Sequence, residues 1–245
     1  MLQFSDTSTK NGIIQRLEYE TGLGDAKISG NATLFAQQTA IINKYASRAT
    51  MLVITASGTW SWDDTSQTDQ AVATTTLEAD KGDYTILENT PVAKKDYLRP
   101  RRVEIKDEAG NSMRLRGKNL RRYSGSITEQ RTVTGTPISY DFNGTSIFLD
   151  PIPNYTVVKG LRIWFDRAQL NFATTDTTKR PGFNSIFHEY LVLGPLLDWQ
   201  LKNVANKASS TKVLLDQMET EIQEWYGMRD DTEPNKIQRP AKSYK

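Results

Sequence analysis

Apolar residues near the start of the chain recur at helical spacing. Ile13 and Leu17 follow several polar residues that can cap a helix, and the pattern stops at Gly22. After Asn31, a favourable N-cap residue, apolar side chains continue at spacings of three and four residues as far as Val53. The sequence therefore predicts a short amphipathic helix, followed by a longer helix with a single apolar face.

The middle of the chain has the features of antiparallel β-structure. From Ser57 onward, β-branched and aromatic residues alternate with polar ones, and turn residues recur at short intervals. The predicted hairpins pair Ala73–Leu77 with Tyr84–Leu87, Val103–Lys106 with Ser112–Arg116, and Ile138–Phe142 with Thr145–Leu149. The last of them is the clearest, because Asn143-Gly144 suits a type I′ turn. A final strand is predicted over Gly160–Phe165.

Helical spacing returns in the last quarter of the chain. The threonine-rich stretch Asn171–Gly182 indicates a long loop, and Ser185 can cap the helix that follows it. We expect Pro195 to kink or interrupt this helix, because proline lacks the backbone N–H group. A second helix is predicted to follow Ser209 or Ser210.

Together these elements predict an α+β protein. The terminal helices would form a small helical bundle, and the middle of the chain would form an inserted antiparallel β-rich lobe. The predicted boundaries assign residues 1–56 and 183–231 to the helical lobe, residues 57–182 to the β-rich lobe and residues 232–245 to a flexible basic C-terminal tail.

Composition limits the possible functions. The 245 residues include no cysteine, which excludes disulfides and cysteine nucleophiles, and the formal net charge of +2 gives little general attraction to nucleic acid or anionic membranes. The N-terminal residues show no signal-peptide features, and no apolar run is long enough for a membrane span. His188 is the single histidine, so metal sites with two imidazoles are excluded and a structural role is expected for it. We therefore expect no enzyme activity, no cofactor, no metal and no membrane contact.

Basic residues concentrate in one part of the predicted β-rich lobe. Between Lys94 and Arg131 they outnumber acidic residues by twelve to five. Such a cluster can bind DNA phosphates or an acidic protein surface, although a solvated hairpin rim explains it equally well. The residues chosen for a surface that faces DNA or an acidic partner are Arg99, Arg101, Arg102, Arg121 and Arg122.

Two tryptophans mark another candidate surface. Trp60 and Trp62 alternate along a predicted strand, so both indoles lie on one face, as in carbohydrate-binding modules and protein interfaces. Burial in the core of the β-rich lobe is the other explanation. If the indoles bind ligand, the chain would be a carbohydrate- or receptor-binding accessory protein of a virion or cell surface. The neighbouring Asp63 and Asp64 point to opposite faces of a strand, which is poor geometry for paired acid-base catalysis.

Short segments along the chain resemble neck and adaptor proteins of tailed phages. They are Gly12–Gln15 continuing through Thr21–Gly24, Trp60–Asp64, Gly82–Tyr84 and Phe187–Leu191. The resemblance implies a structural virion protein that forms a ring, a dodecamer, beneath the portal and extends the DNA channel. It implies the portal protein, the next neck or tail protein and further copies of the chain as partners, with non-specific contact to packaged DNA. It also implies assembly in the host cytoplasm and a final place in the virion neck. Smaller adaptors of this kind are mostly helical, so the β-rich insertion departs from them.

The C-terminal tail is the segment predicted to hold such a ring on the portal. From Pro234 to Lys245, a few apolar and aromatic residues are spaced among lysines and arginines. This mixture is too poor in apolar residues to fold alone, but it can lay anchors into a groove. The predicted portal-binding residues are Trp225, Tyr226, Ile237, Arg239, Pro240 and Tyr244.

Overall fold

The protein has a mixed α+β fold that divides into two compact units. A computed structural model describes residues 1–57, 72–85, 97–118, 132–143 and 146–229. Contacts divide the chain into a helical unit, Met1–Asp69 with Gln169–Lys245, and a β unit, Gln70–Ala168. The second boundary of this division lies after residue 168 and not after the predicted residue 182, because the segment that follows contributes to the helical core.

The predicted helices of the helical unit are present, and local capping defines their ends. The α-helices among the described residues are α1 (Ile13–Thr21), α2 (Ala32–Ser57), α3 (Tyr190–Asn203) and α4 (Ala205–Arg229), and a 3-10 helix spans Ser185–Phe187. Helix α1 ends at Gly22, whose φ of 67° lies in the left-handed region that glycine adopts without strain. Helix α2 follows Asn31, whose side-chain oxygen accepts hydrogen bonds of 3.0 and 3.1 Å from the backbone N–H groups of Thr33 and Leu34.

Three details of the C-terminal helices differ from the prediction. Asn184, not Ser185, is the N-cap of the 3-10 helix, because its side chain accepts a hydrogen bond from the backbone N–H of Ile186. Helix α3 is not interrupted at Pro195, whereas the kink that the sequence also allowed stays a prediction. The burial of the neighbouring Leu196 in the core helps to offset the lost backbone hydrogen bond. Helix α4 begins at Ala205, directly after α3 ends, and not after Ser209 or Ser210.

The core of the helical unit includes residues from both terminal parts of the chain. Helix α3 contacts α1, α2 and α4. The Phe4 ring stacks on Phe172 with the ring centroids 4.7 Å apart, and Asn43 of α2 forms hydrogen bonds of 2.9 and 2.8 Å with the backbone of Phe172. Phe172 lies in the stretch predicted as a long loop of the β-rich lobe. It is buried in the helical core instead.

The β unit contains two four-stranded sheets and one small strand pair among its described residues. The strands are β1 (Val72–Leu77), β2 (Asp83–Thr85), β3 (Tyr97–Lys106), β4 (Ser112–Arg114), β5 (Arg116–Gly117), β6 (Thr134–Gly135), β7 (Ser139–Asn143), β8 (Ser146–Asp150), β9 (Ile152–Pro153) and β10 (Val157–Arg167). The first sheet has the order β1-β10-β3-β4, and all its neighbours are antiparallel. The second sheet has the order β2-β8-β7-β5, in which only β5 and β7 are parallel. Strands β6 and β9 pair separately.

Two of the predicted hairpins are confirmed and one is wrong. Strands β3 and β4 pair antiparallel, as do β7 and β8, and the predicted final strand is β10. The predicted hairpin of Ala73–Leu77 with Tyr84–Leu87 does not form, because β1 pairs with β10 whereas β2 pairs with β8 in the other sheet. Leu77 and Tyr84 are both buried in the core of the β unit. The alternation of apolar and polar residues predicts which face of a strand is buried. It does not determine with which other strand that strand pairs.

Candidate functional site

A cavity forms where the chain passes from the first sheet of the β unit to the second. Leu115 lies between β4 of the first sheet and β5 of the second. It is buried and donates its backbone N–H to the carbonyl of Val103 at 2.9 Å. The next residue, Arg116, donates to the carbonyl of Ile138 at 3.2 Å and so begins the second sheet. Because side chains alternate along a strand, Arg114 and Arg116 project to the side opposite Leu115.

The cavity at this junction has a lining rich in arginine. Its volume is about 390 Å³, which is within the range of small-ligand sites. We call it the arginine pocket, and its lining consists of Arg101, Arg102, Val103, Arg114, Leu115, Arg116, Gly117 and Tyr140. Half of these residues are arginines, and none is acidic. The apolar members, Val103 and Leu115, are buried in the core of the β unit.

Two of the four arginines have carboxylate partners. Arg101 lies at a β-bulge, because Trp164 is opposite Arg102 whereas Phe165 is opposite Pro100. Its Nε atom is 2.9 and 2.8 Å from the two carboxylate oxygens of Asp166, whose side chain is fully buried. Arg102 forms an ion pair with Glu104 on the same strand. These two arginines therefore contribute less net positive charge to the pocket than their number suggests.

The other two arginines form no ion pair among the described residues, although Glu104, the partner of Arg102, lies opposite Arg114 in the strand register. Arg114 and Arg116 are both exposed. The hydroxyl group of Tyr140 likewise has no hydrogen-bond partner among the described residues. It lies at the pocket wall, 3.7 Å from the position of a Cβ atom built on Gly117. The pocket thus combines two unpaired guanidinium groups with a hydroxyl group that can donate a hydrogen bond.

The structure accounts for part of the predicted basic surface. Arg101 and Arg102 line the arginine pocket, whereas Arg121 and Arg122 lie outside the described residues, as does the side chain of Arg99. Sequence reasoning counted Arg114 and Arg116 in the basic cluster but did not choose them as site residues. The sequence signal that could have identified them is the pattern Arg114-Leu115-Arg116 at the end of a predicted strand, in which two arginines flank an apolar residue.

The outer face of the first sheet adds two residues that the sequence did not single out. Arg162 is opposite Glu104 in the strand register, and Trp164 is opposite Arg102. Both alternate with buried residues of β10, so they project away from the core. The indole Nε1 of Trp164 is buried and has no hydrogen-bond partner within the described ranges. An aromatic ring next to arginines is thus present on this face.

The helical unit has a different candidate surface along α4. Val213, Leu214, Trp225 and Met228 are between 43% and 68% exposed, although their neighbours Leu215, Ile222 and Tyr226 are buried on the opposite side of the helix. Gln217 and Glu221 lie between Leu214 and Trp225 on the same side, so this α4 face consists of two apolar patches with polar residues between them. Exposed apolar patches are typical of protein–protein interfaces.

The two predicted portal-binding residues at the end of α4 differ in exposure. Trp225 is partly exposed, and its ring packs edge-on against Phe187 with a centroid distance of 6.3 Å. Tyr226 belongs to the core, and its hydroxyl accepts a hydrogen bond of 2.9 Å from the backbone N–H of Asn184. Only Trp225 of this pair therefore offers side-chain surface to a partner. The other predicted members, Ile237, Arg239, Pro240 and Tyr244, lie outside the described residues.

An open cleft of about 1140 Å³ lies beside α1 in the helical unit. The Lys10 ammonium binds the Asp25 carboxylate at one part of its wall with a distance of 2.7 Å. Glu18 is buried, and its carboxylate accepts hydrogen bonds from the backbone N–H groups of Ala26, Ile28 and Ser29. The ring of Tyr19, by contrast, is 83% exposed. The cleft therefore combines a rigid loop with a large accessible aromatic side chain.

The remaining candidate residues form no further site within the part of the chain that the structure describes. His188 is buried, and its ring nitrogens lie 3.2 Å from the Leu2 carbonyl and 3.0 Å from the Phe183 carbonyl. This geometry supports the structural role expected for His188. Trp60 and Trp62 lie outside the described residues. Within the described ranges, no three acidic or histidine side chains are arranged to hold a metal ion, and no helix is long and apolar enough to cross a membrane.

Comparisons with known proteins do not assign the chain to a family. No protein-family model matches the sequence, and no curated protein matches it either. The candidate surfaces therefore rest on the residues of this chain alone: the arginine pocket, the α4 face and the cleft beside α1.

Proposed function

We propose that this chain is a structural virion protein, a head-to-tail adaptor that forms a ring between the portal and the next neck or tail component of a tailed phage. In this role it extends the DNA channel, assembles in the host cytoplasm and remains in the neck of the virion. The proposal is supported by the resemblance of its short segments to neck and adaptor proteins and by the exposed apolar face of α4. It requires folded interfaces and no catalytic group.

The α4 face is the observation that carries the proposal. Val213 and Leu214 are exposed next to each other in the middle of the helix, and Met228 is exposed near its end. Burial of these side chains against a partner would contribute about 25 cal/mol for each Å² of apolar surface removed from water. These side chains form two exposed apolar patches on one side of the helix, separated by the exposed polar residues Gln217 and Glu221. Each patch favours a binding surface over a purely solvated helix.

A ring of identical subunits needs two different complementary faces on each subunit, because its contacts are head-to-tail. The helical unit has two candidates: the apolar face of α4 and the cleft beside α1 with the exposed Tyr19 ring. In the proposed ring, the α4 face of each subunit binds the cleft beside α1 of the next subunit. Closure of the ring then follows from the rotation between neighbours.

Electron microscopy of the purified full chain, alone and mixed with its portal protein, tests the proposal. We expect rings or collars for the unmodified chain. The double substitution Val213→Gln with Leu214→Gln should weaken ring formation or portal binding, because it places two amides where apolar side chains would be buried. The melting temperature should change little, since both side chains are more than half exposed.

Val158→Gln is the matched control for this experiment. Val158 is also an exposed valine, 72% accessible, but it lies in β10 of the β unit and not on α4. Rings and portal complexes should persist in this variant. A chain that stays monomeric over the accessible concentration range and does not associate with the portal would overturn the proposal.

The C-terminal tail provides a second arm of the test. If the tail binds the portal, truncation after Asp231 should leave the subunit folded and abolish co-sedimentation with portal rings. About a dozen tails on one ring would act together, so that weak single contacts add up to tight binding. Undiminished portal binding by the truncated chain would exclude this role for Ile237, Arg239, Pro240 and Tyr244.

A further inference from the structure

We propose that the arginine pocket of the β unit binds a phosphate group, either from a nucleic-acid backbone or from a free phosphate ester. All residues of the pocket belong to the β unit. The inference is therefore independent of the α4 face and of the proposed adaptor role, and its test does not depend on ring formation.

The charge distribution of the pocket favours an anion. Arg114 ends β4 and Arg116 begins β5, and neither forms an ion pair among the described residues, although Glu104 lies opposite Arg114 in the strand register. Both guanidinium groups are exposed, so solvent weakens the repulsion between their like charges but does not abolish it. An anion bound between the two guanidinium groups removes this repulsion. The surrounding cations Arg101 and Arg102 increase the positive potential, although each already has a carboxylate partner.

The groups that line the pocket match the chemistry of phosphate. A guanidinium group presents parallel N–H donors that fit two phosphate oxygens at once, and such charge-assisted hydrogen bonds are among the strongest in proteins. The hydroxyl group of Tyr140 can donate to a further oxygen. A phosphate ester can accept hydrogen bonds from all of these donors, because it has at least two charged non-bridging oxygens on one phosphorus atom, and each can accept more than one hydrogen bond.

The lining does not favour an acidic peptide as the occupant. Arginine clusters can recognise acidic motifs, but most of the binding energy of a peptide comes from apolar or aromatic side chains that fill pockets. The apolar side chains of this lining, Val103 and Leu115, are 0% and 3% exposed and belong to the core. The cavity of about 390 Å³ is also larger than a single inorganic anion needs, so an attached sugar or nucleoside can enter with the phosphate.

The substitution that tests the pocket is Arg114→Gln with Arg116→Gln in the full chain. It removes the two unpaired charges, and the fold should tolerate it because both side chains are exposed. Arg101 is unsuitable for this purpose, because its removal would break the ion pair with the buried Asp166 and destabilise the fold. The matched control is Lys81→Gln with Lys159→Gln, which removes the same charge from two exposed lysines of the same unit that lie outside the pocket.

Binding is measured by fluorescence anisotropy with a short labelled DNA duplex at several salt concentrations, and by thermal shift with inorganic phosphate and with adenosine monophosphate. For the duplex, loss of two phosphate contacts should weaken binding at least about tenfold and lower the slope of log K against log salt by about 1.8, at about 0.9 per contact. The control pair should stay within about twofold of the unmodified chain, because distant exposed charges are screened.

Tyr140→Phe is a second variant that changes neither charge nor volume appreciably. Loss of one hydrogen bond to a charged ligand should weaken binding about tenfold, with the salt dependence unchanged. This combination separates a direct contact in the pocket from general electrostatic attraction. Far-ultraviolet circular dichroism and the melting temperature of each variant establish that the comparison is made between folded proteins.

The outcomes distinguish the sources of phosphate and the rival occupant. Binding of the duplex that needs Arg114 and Arg116 supports the proposal with a nucleic-acid source, and binding of the small phosphates alone supports it with a free ester as the source. The proposal is overturned by equal losses in the pocket and control variants, or by the absence of binding to all three probes. It is also overturned if a poly-glutamate peptide binds through these arginines more tightly than any phosphate probe.

Discussion

The hydroxyl group of Tyr190 donates a hydrogen bond of 2.8 Å to the carboxylate of Glu219, which joins α3 to α4. The other oxygen of Glu219 accepts from the Arg48 guanidinium of α2 at 2.7 Å. Burial raises the pKa of Tyr190, and the neighbouring carboxylate raises it further, so the hydroxyl remains a neutral donor. One carboxylate therefore links three helices of the helical unit.

We expect Tyr190→Phe to lower the free energy of unfolding by about 2 kcal/mol, because a buried hydrogen bond to a charged group is lost. Urea denaturation followed by circular dichroism measures the change. Lys44→Gln is the control, since it removes an exposed ion pair with Asp198 and an exposed contact with the Tyr45 ring and should change the stability by less than about 1 kcal/mol. Equal effects of the two substitutions would contradict the importance of the Glu219 link.

Gly194 marks a close contact between α3 and α2. A Cβ atom at this position would lie 2.4 Å from the Cγ and Cδ1 atoms of the Tyr45 ring, which is far inside van der Waals contact. The ring cannot easily withdraw, because its hydroxyl is bound to Asp198 at 3.1 Å. We expect Gly194→Ala to destabilise the protein by about 2 kcal/mol, despite the better helix propensity of alanine.

Gly227→Ala is the control for this prediction, because a Cβ atom on Gly227 of α4 would meet nothing within 4 Å. This substitution should stabilise the protein by up to about 1 kcal/mol through helix propensity alone. Thermal and urea denaturation of both variants would measure the contrast. If Gly194→Ala stabilised the protein as much as Gly227→Ala, the close contact between Gly194 and the Tyr45 ring would be contradicted.

The ends of the β unit allow its removal from the chain. Val72 of β1 is opposite Trp164 of β10, so the insertion begins and ends on neighbouring strands. Replacing residues 70–168 by a short flexible linker should leave a helical protein that melts cooperatively. Replacing residues 57–182 should not, because that deletion removes Phe172, which is buried against Phe4. Calorimetry and circular dichroism measure the melting of the two deletion variants. Equal melting temperatures and equal cooperativity would contradict the contribution of Phe172 to the helical core.

Asp6 gives the protein a specific sensitivity to acid. Hydrogen bonds from the Thr9 side chain and backbone, and from Ser8, lower the pKa of Asp6 from 3.8 to about 2. Because the pKa is lower in the folded state, the ionised carboxylate stabilises the fold above pH 3.8, and this contribution is lost as the pH falls towards about 2. Thr9→Val removes the strongest donor. NMR titration should show the pKa of Asp6 moving towards 3.8 in this variant, and an unchanged pKa would mean that the Thr9 hydroxyl does not cause the shift.

The local elements of the fold were predictable because their signals act over a few residues. The cap of α2 at Asn31 and the end of α1 at Gly22 depend only on a side chain or a backbone angle next to the helix. The start of α4 was missed, because Ser209 and Ser210 are good caps but the chain turns earlier, at Val204. Where local preference and packing disagree, packing determines the boundary.

For the candidate site, the sequence determined that basic residues concentrate around Arg101 and Arg102, because charge content does not depend on folding. Only the tertiary structure decided which of them face one cavity. Leu115 transfers the chain from one sheet to the other, and this places Arg114 and Arg116 beside Tyr140, a residue of a strand that follows much later in the sequence. A strand pairs with the partner that allows both to bury their apolar side chains, and that partner can be distant in sequence. The pairs β1 with β10 and β2 with β8 are examples. A local pattern can specify that a strand exists, but it carries no information about such a distant partner.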